Sequence, residues 1–184
     1  IIGIVGNAGA GKDTAANYFV SNHGFRKRSF ADPLKRACSE AFGIPLLFFH
    51  DQSLKDVRHE PWGKSAREIA QYMGTEVFRN GLKDFLPHVG GDFWILRAAR
   101  SLQEMAPHPR VVIPDVRFQN EADFIAVHRG KLIYLTRPGQ SGDVGIANHA
   151  SEQLGNLKLP NASLIQNDGT FEDLYRELER VASW

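Results

Sequence analysis

Ile1-Ile-Gly-Ile-Val-Gly-Asn-Ala-Gly-Ala-Gly-Lys-Asp-Thr14 is the stretch that decides the fold. Its apolar run, Ile1, Ile2, Ile4 and Val5, reads as a buried parallel strand. The strand enters the spacing Gly6-x-x-x-x-Gly11-Lys12, and a helical pattern starts at Asp13. Strand, glycine turn, lysine and helix start, in that order, mark a phosphate-binding loop. Gly6, Gly9 and Gly11 admit backbone conformations that a Cβ hinders. The turn through Gly6, Ala8, Gly9, Ala10 and Gly11 is therefore expected to aim N–H groups at phosphate oxygens, where the helix dipole favours negative charge. Lys12 adds a mobile cation for the β- and γ-phosphates, so the loop predicts a nucleoside triphosphate, ATP, as ligand.

After the loop lysine such turns usually carry Ser or Thr, whose hydroxyl contacts Mg²⁺. Here Asp13 stands in that place, followed by Thr14. Asp13 reads either as a hard oxygen ligand for the metal or as a helix cap.

Outward from this stretch, 184 residues suit one domain with a sizeable core. With 22 basic and 21 acidic side chains, the net charge of +1 gives no general reason to expect a nucleic-acid polymer or a membrane as partner. The single cysteine, Cys38, excludes an intramolecular disulfide and a cysteine-built metal site. Its helical surroundings predict a buried thiol in a reducing cytoplasm. No apolar run reaches the length of a membrane span, and nothing before the first strand reads as a signal peptide. The chain starts at Ile1 without a Met, so leading residues are expected.

Along the chain, Ala15, Ala16, Phe19 and Val20 predict one face of a first helix ending at Asn22-His23-Gly24. Phe25–Phe30 predicts a short strand, too basic at Arg26, Lys27 and Arg28 to lie centrally. Asp32-Pro33 reads as an N-cap with proline in the first turn, and Leu34, Ala37, Cys38 and Ala41 as the buried face before Gly43. Asp32 and Lys35 follow a strand end, where α/β proteins place ligands; Arg36 reads as a solvated position.

Residues 44–64 read as an irregular insertion. Ser65-x-x-Glu68 is a capping-box pattern opening a helix with Ile69, Tyr72 and Met73 inside and Arg67 and Gln71 on another face. Gly74-Thr75 is expected to interrupt it before Arg79. Asp92 reads as the next N-cap, ahead of an apolar helix containing Trp94, Ile95, Ala98, Ala99 and Leu102. Val111–Ile113, Lys131–Thr136 and Leu164-Ile165 predict strands, and 119–127 and the segment after Thr170 predict helices. In the last helix Phe171, Leu174, Leu178 and Val181 read as the inner face. Strands alternating with helices give a parallel sheet of about five strands covered on both faces, an α/β P-loop fold.

In such a sheet Lys12, Asp13, Asp115, Arg117 and Arg137 all follow strand ends and share one crevice. Phosphoryl transfer asks for cations and for alignment of donor and acceptor, and the arginine fork suits phosphate oxygens. Asp115 reads as a metal-orienting or acceptor-binding carboxylate, or, with Arg117, as a local pair capping the following helix.

Gly-x-x-Gly-Ala-Gly-Lys-Asp-Thr14, Ala31-Asp-Pro-Leu-Lys35, the Gln71-x-x-Gly-Thr-Glu76 core between Arg67 and Arg79, Pro114-Asp-Val-Arg117, Arg137-Pro-Gly139 and Asn167-Asp-Gly169 occur in this order. The series resembles the deoxynucleoside monophosphate kinases of bacteriophages along nearly the whole chain, most specifically in Lys12-Asp13-Thr14. The resemblance implies transfer of the γ-phosphate of ATP to the 5′-phosphate of dNMPs, with Mg²⁺, in the host cytoplasm, and a homodimer in some members. It makes Asp13 part of the pattern. It also implies a helical acceptor-binding region over 44–105 and a lid over 137–152 within a single domain of 1–184.

On that basis Arg67 and Arg79 are expected to grip the acceptor phosphate. Trp94 is expected either to stack on the base or to be core, Gln71 and Tyr72 to read base edges, and Asp115 and Arg117 to lie between acceptor and donor. Asp13 and Asp115 are the candidate metal ligands. The lid offers only Arg137 and His149, leaving Arg137 to stabilise the transferring phosphoryl or pack on adenine, and His149 as a loop histidine. Two other readings stand beside this one. A kinase of another small acceptor, similar to dephospho-CoA kinases, shares the final strand, turn and helix. An ATPase switch would need a water-positioning residue, and no Gln or Glu is placed for one.

Overall fold

Ile2–Val5 forms β1, buried at every position and flanked by strands on both sides. The computed structural model describes residues 1–105, 110–139, 146, 149–152 and 154–182. β2 is Arg26–Lys27, β5 Val111–Ile113, β6 Lys131–Thr136 and β7 Ser163–Gln166. They form one parallel sheet in the order β2-β5-β1-β6-β7. The remaining strands, β3 (Arg58–His59) and β4 (Lys64–Ser65), make a separate antiparallel pair in the insert. Because β2 and β5 lie on one side of β1 and β6 and β7 on the other, the strand order switches sides at β1. This is the position where doubly wound sheets bind ligands.

The central strands read as continuous apolar runs because helices cover both faces. On one face α1 (Lys12–His23) and α7 (Phe171–Ala182) bury Phe19, Leu174 and Leu178 against Ile2, Ile4, Val112, Ile133 and Leu135. α5 (Phe93–Gln103) and α6 (Gln119–Val127) cover the other, packing Ala98, Leu102, Ala122 and Ile125 against Val5, Val111 and Ile113. In α7 the inner residues recur at Leu174, Leu178 and Ala182, so Phe171, expected inside, is 65% exposed. In α1 Val20 is likewise at the surface.

The strand expected over Phe25–Phe30 is shorter than its pattern. Beyond Arg28, whose N–H still donates to the Val112 carbonyl at 3.0 Å, the backbone leaves the sheet, and the N–H groups of Phe30 and Ala31 go to the carboxylate of Asp115 at 3.1 and 3.0 Å. α2 (Asp32–Phe42) consequently starts one residue early, with Ala31 rather than Asp32 at the cap position.

The insert has its own core. α2, α3 (Leu47–His50) and α4 (Ala66–Tyr72) enclose Leu34, Cys38, Ile44, Phe49, Ala66 and Ile69. Burial pushes the Cys38 thiol up to about 11, where it stays protonated. Ser65 caps α4 through the expected box, donating and accepting with Glu68 at 3.0 and 3.2 Å. Gly74-Thr75 does not interrupt this helix; the chain continues as a π-helix over Met73–Gly81. There the terminal methyl of Leu34 lies 2.6 Å from where a Cβ of residue 74 would stand. Glycine therefore lets the helix press against α2 instead of breaking it. The wider turn carries Gln71, Thr75 and Arg79 to the buried side and leaves Tyr72 54% exposed, reversing the expectation for Tyr72.

Candidate active site

The phosphate loop joins β1 to α1. Gly11 has φ +98°, and a Cβ there would lie 2.5 Å from the side-chain nitrogen of Asn167, so position 11 excludes any larger residue on two grounds. Asn167, just past β7, donates to the carbonyl of Ala10 at 2.9 Å and so braces the loop from the far side of the sheet. The sequence shows Asn167 only as a turn residue. Lys12 curls back, its ammonium donating to the carbonyls of Gly6 and Asn7 at 2.7 Å each, which holds it over the turn.

Asp13 lies exposed on the first turn of α1 and accepts from the ammonium of Lys27, on the edge strand β2, at 2.6 Å. Burial opposes its charge, but the bond to Lys27 and the charges of Lys27, Lys55 and Lys12 outweigh it and hold the carboxyl below the ordinary range. Asp13 makes no side-chain capping bond to its own helix. A Mg²⁺ ion takes one or two carboxylates and fills its other positions with phosphate oxygens and water. Asp13, an exposed carboxylate on the first turn of α1, fits that donor set. Asp115 is more heavily committed: its two oxygens accept from the hydroxyl of Ser29 and from the N–H groups of Phe30 and Ala31. It fastens the end of β2 to the end of β5 and thereby fixes where α2 begins.

Arg117 follows the same strand end. Its N–H donates to Glu121 at 2.8 Å, and its guanidinium donates to the carbonyl of Ser151 at 3.2 Å. Ser151 in turn pairs with the buried His149, ring nitrogen to hydroxyl at 2.9 Å. The root of the 137–152 segment therefore docks on Arg117, while residues 140–145, 147 and 148, half of the expected lid, lie outside the described residues. Ile146 is described, and its N–H donates to the side-chain oxygen of Gln71 at 2.8 Å. Gln71, expected at a base edge, is buried and holds this segment against α4. Arg137 is exposed at the end of β6, with no hydrogen bond or ion pair among the described residues.

Arg79 requires correction, and of the two readings of Trp94 the packing favours core. Arg79, expected on the acceptor phosphate, is 7% exposed. Its guanidinium pairs with Glu121 at 2.7 Å, donates to Asn120 and to the carbonyl of Gly91, and lies 3.8 Å over the ring of Phe118. Burial pushes the Glu121 carboxyl up to about 7 against the pull of Arg79 and of the N–H groups it caps. Glu121, unmarked in the sequence, thus ties the π-helix to the backbone of Arg117. Trp94 is 6% exposed among Phe78, Phe93 and Ile69, its indole N–H donating to the carbonyl of Gly74 at 2.9 Å. It is core, because its ring and its one donor are both satisfied inside.

Arg67 makes a two-pronged pair with Asp56 at 2.7 and 3.0 Å. Its own N–H donates to the carbonyl of Lys55 at 3.1 Å. Lys55, in the loop between α3 and β3, lies within the fields of Lys35, Arg67, Asp13 and Arg117. The same neighbourhood, with burial first, lowers His50, which feels Lys35, Asp32, Lys55 and Arg36. The charges of Lys35 from α2, Arg67 from α4, Arg117 from the end of β5 and Asp13 of the phosphate loop therefore all reach Lys55 of the insert. Lys55 was missed by the sequence because it sits in an aperiodic stretch. A cavity of about 300 Å³ lies beside the crevice, between the end of β2, α2 and α5. Asp32, Ser29 and Ser101 line it with Arg28, Arg36 and Arg97 over a floor of Phe30, Leu102 and Ile113. Arg36, expected to be merely solvated, thus faces this cavity.

Comparison with known proteins gives the chain's relatives. Residues 47–178 match the family model described as deoxynucleotide monophosphate kinase. A protein of Acanthamoeba polyphaga mimivirus, provisionally named a deoxynucleotide monophosphate kinase, is 38% identical over 184 residues, covering 97% of this chain and 93% of its own. Among solved structures, TT1252 from Thermus thermophilus superposes with a TM-score of 0.50 at 19% identity, covering 99% of this chain and 95% of that one. That likeness concerns the fold alone. Dephospho-CoA kinase from Campylobacter jejuni reaches 0.47 at 19% identity, covering 98% and 94% of the two chains.

Proposed function

The chain belongs to the deoxynucleotide monophosphate kinase family of P-loop kinases, and from that premise we propose that it transfers the γ-phosphate of Mg·ATP to the 5′-phosphate of deoxynucleoside monophosphates, giving dNDP and ADP. The observation that carries this reading is the phosphate loop with Lys12 held over its turn, together with Lys35, Arg67, Arg117 and Asp13, from separate elements, all within the field of Lys55. Two phosphorylated substrates repel one another, and such a set of cations offsets that repulsion as they meet.

In this reading the backbone from Gly6 to Gly11 holds the ATP phosphates, and Lys12 swings from the carbonyls of Gly6 and Asn7 onto the β- and γ-phosphates. Asp13 would hold Mg²⁺, which would supply charge neutralisation on the γ-phosphate. Arg117 lies between donor and acceptor, its backbone aligned by Glu121. Asp115 shapes the acceptor side through Ser29, and Arg137 covers the donor from the end of β6. The acceptor nucleoside occupies the cavity lined by Asp32, Ser29 and Ser101, with Lys35 and Arg67 toward its phosphate. Its phosphate oxygen is already ionised at neutral pH, so no residue need act as a strong general base.

The family's acceptor region, 44–105, and lid, 137–152, would work as parts of one domain. Dimerisation of the chain and its residence in a phage host's cytoplasm follow from the resemblance alone. ADP release with Mg·ATP against a panel of dNMPs, NMPs and dephospho-CoA tests the reading. Stimulation by one or more dNMPs supports it. Stimulation by dephospho-CoA alone replaces the acceptor, and release indifferent to every acceptor replaces the function by ATP hydrolysis.

A further inference from the structure

We propose that Lys55 is a catalytic cation delivered by the insert, contacting the phosphoryl group in transit between ATP and the acceptor, and that the Arg67–Asp56 pair is the clamp that positions it. The inference rests on the kinase reading above and adds to it a residue and a division of labour. Lys55 sits on a short connection whose ends are tied down. Asp51 accepts from the N–H and hydroxyl of Ser53 at 2.8 and 2.6 Å, closing the first turn. On the other side Arg67 grips Asp56 with both prongs, while its backbone N–H takes the carbonyl of Lys55 itself. Three consecutive points of contact leave the ammonium, and little else, free to move.

The ammonium has little reason to be there on structural grounds. Among the described residues its hydrogen-bond partner is the neutral side chain of Gln52, at 3.3 Å. Around it stand Lys35, Arg67 and Arg117, opposed by Asp13 in the crevice and by the carboxylates of Asp51 and the exposed Asp56 on its own loop, with His50 as a further titratable neighbour. Burial first, then the charges of Lys35 and Arg67, push it down to about 8. A half-buried cation held among like charges weakens the fold, and its position is explained by an anion that arrives later. The phosphoryl group in transit is that anion, since Asp13 marks the donor side of the crevice and Lys35 and Arg67 the acceptor side. Lys55 would then supply the charge that the lid, with only Arg137 and His149, lacks.

Steady-state kinetics, thermal melting and ATP titration calorimetry on Lys55→Met and Lys55→Arg test this together. The Met variant should lose on the order of 100-fold in kcat while melting at or above the wild-type temperature, because a repelled charge has gone. The Arg variant should recover turnover to within about tenfold of wild type. ATP binding at pH 9, measured in two buffers of different ionisation enthalpy, should take up a proton in the wild type and not in the Arg variant. A Met variant that turns over within about threefold of wild type, or one that melts well below it, overturns the proposal, as does equal proton uptake in wild type and Lys55→Arg. The calorimetry does not need an acceptor. If wild-type protein shows no dNMP-dependent ADP release yet keeps its Lys55-linked proton uptake, the kinase reading fails while the phosphate contact survives.

Discussion

The phosphate loop and the insert bring charge to the same crevice by opposite means. In the loop, everything lies within fourteen consecutive residues: strand, turn, lysine and helix start follow from local spacing, and the backbone itself is the binding surface. In the insert, the arginines expected to bind phosphate, and the backbone of Lys55, are set by partners eleven or more positions away. Arg67 is fixed by Asp56, Lys55 by Arg67, and Arg79 by Glu121 forty-two positions away. Chemistry written in the backbone is legible from spacing; chemistry written in side-chain pairs is not. The two regions should also respond differently to mutation, the loop through rate at unchanged stability and much of the insert through stability.

The largest expected effect lies in the loop. Lys12→Ala should lower phosphoryl transfer by about 10⁴-fold or more with the melting temperature little changed, and near-full turnover would remove the loop from the mechanism. Arg117→Ala should cost on the order of 10³-fold in kcat; a loss under about tenfold would return Arg117 to a structural role. Crossing into the insert, Arg79→Leu should destabilise the fold by about 3–5 kcal/mol, since it strands the buried Glu121 carboxylate. Denaturant unfolding reads this directly, and a variant of normal stability with a raised KM for dNMP would return Arg79 to the acceptor site. Smallest of all, Trp94→Phe should cost about 1–3 kcal/mol, leaving the Gly74 carbonyl without its donor. The order of preference among dNMPs should stay unchanged, and an altered order would show that residue 94 touches the base.

The fold was readable wherever a segment carried its own explanation. β5 and α6 fall on the expected residues because a buried parallel strand and an amphipathic helix leave clear periods. β2 was readable as basic and therefore peripheral, but its end was not: nothing local in Ser29-Phe-Ala31 announces that Asp115 will take those donors. Gly74 carries the signature of a break, and only the proximity of Leu34 and Trp94 shows it to be a close contact inside a continuous helix. The family resemblance gave Arg79 and Trp94 functional roles, because an arginine and a tryptophan on a helix look alike whether they face a ligand or a neighbouring chain segment. Glu121 stands four residues beyond Arg117, a spacing that could have marked it as that strand end's cap. Asn167 and Lys55 left no such trace, since each acts across the fold from a turn or loop.

The central claim is that one crevice holds two phosphorylated substrates and passes a phosphoryl group between them. Following label from γ-labelled Mg·ATP into products, with each dNMP in turn, tests it most directly. The account predicts labelled dNDP formed in step with ADP for at least one dNMP. Label appearing only as inorganic phosphate, at a rate no dNMP alters, would contradict it.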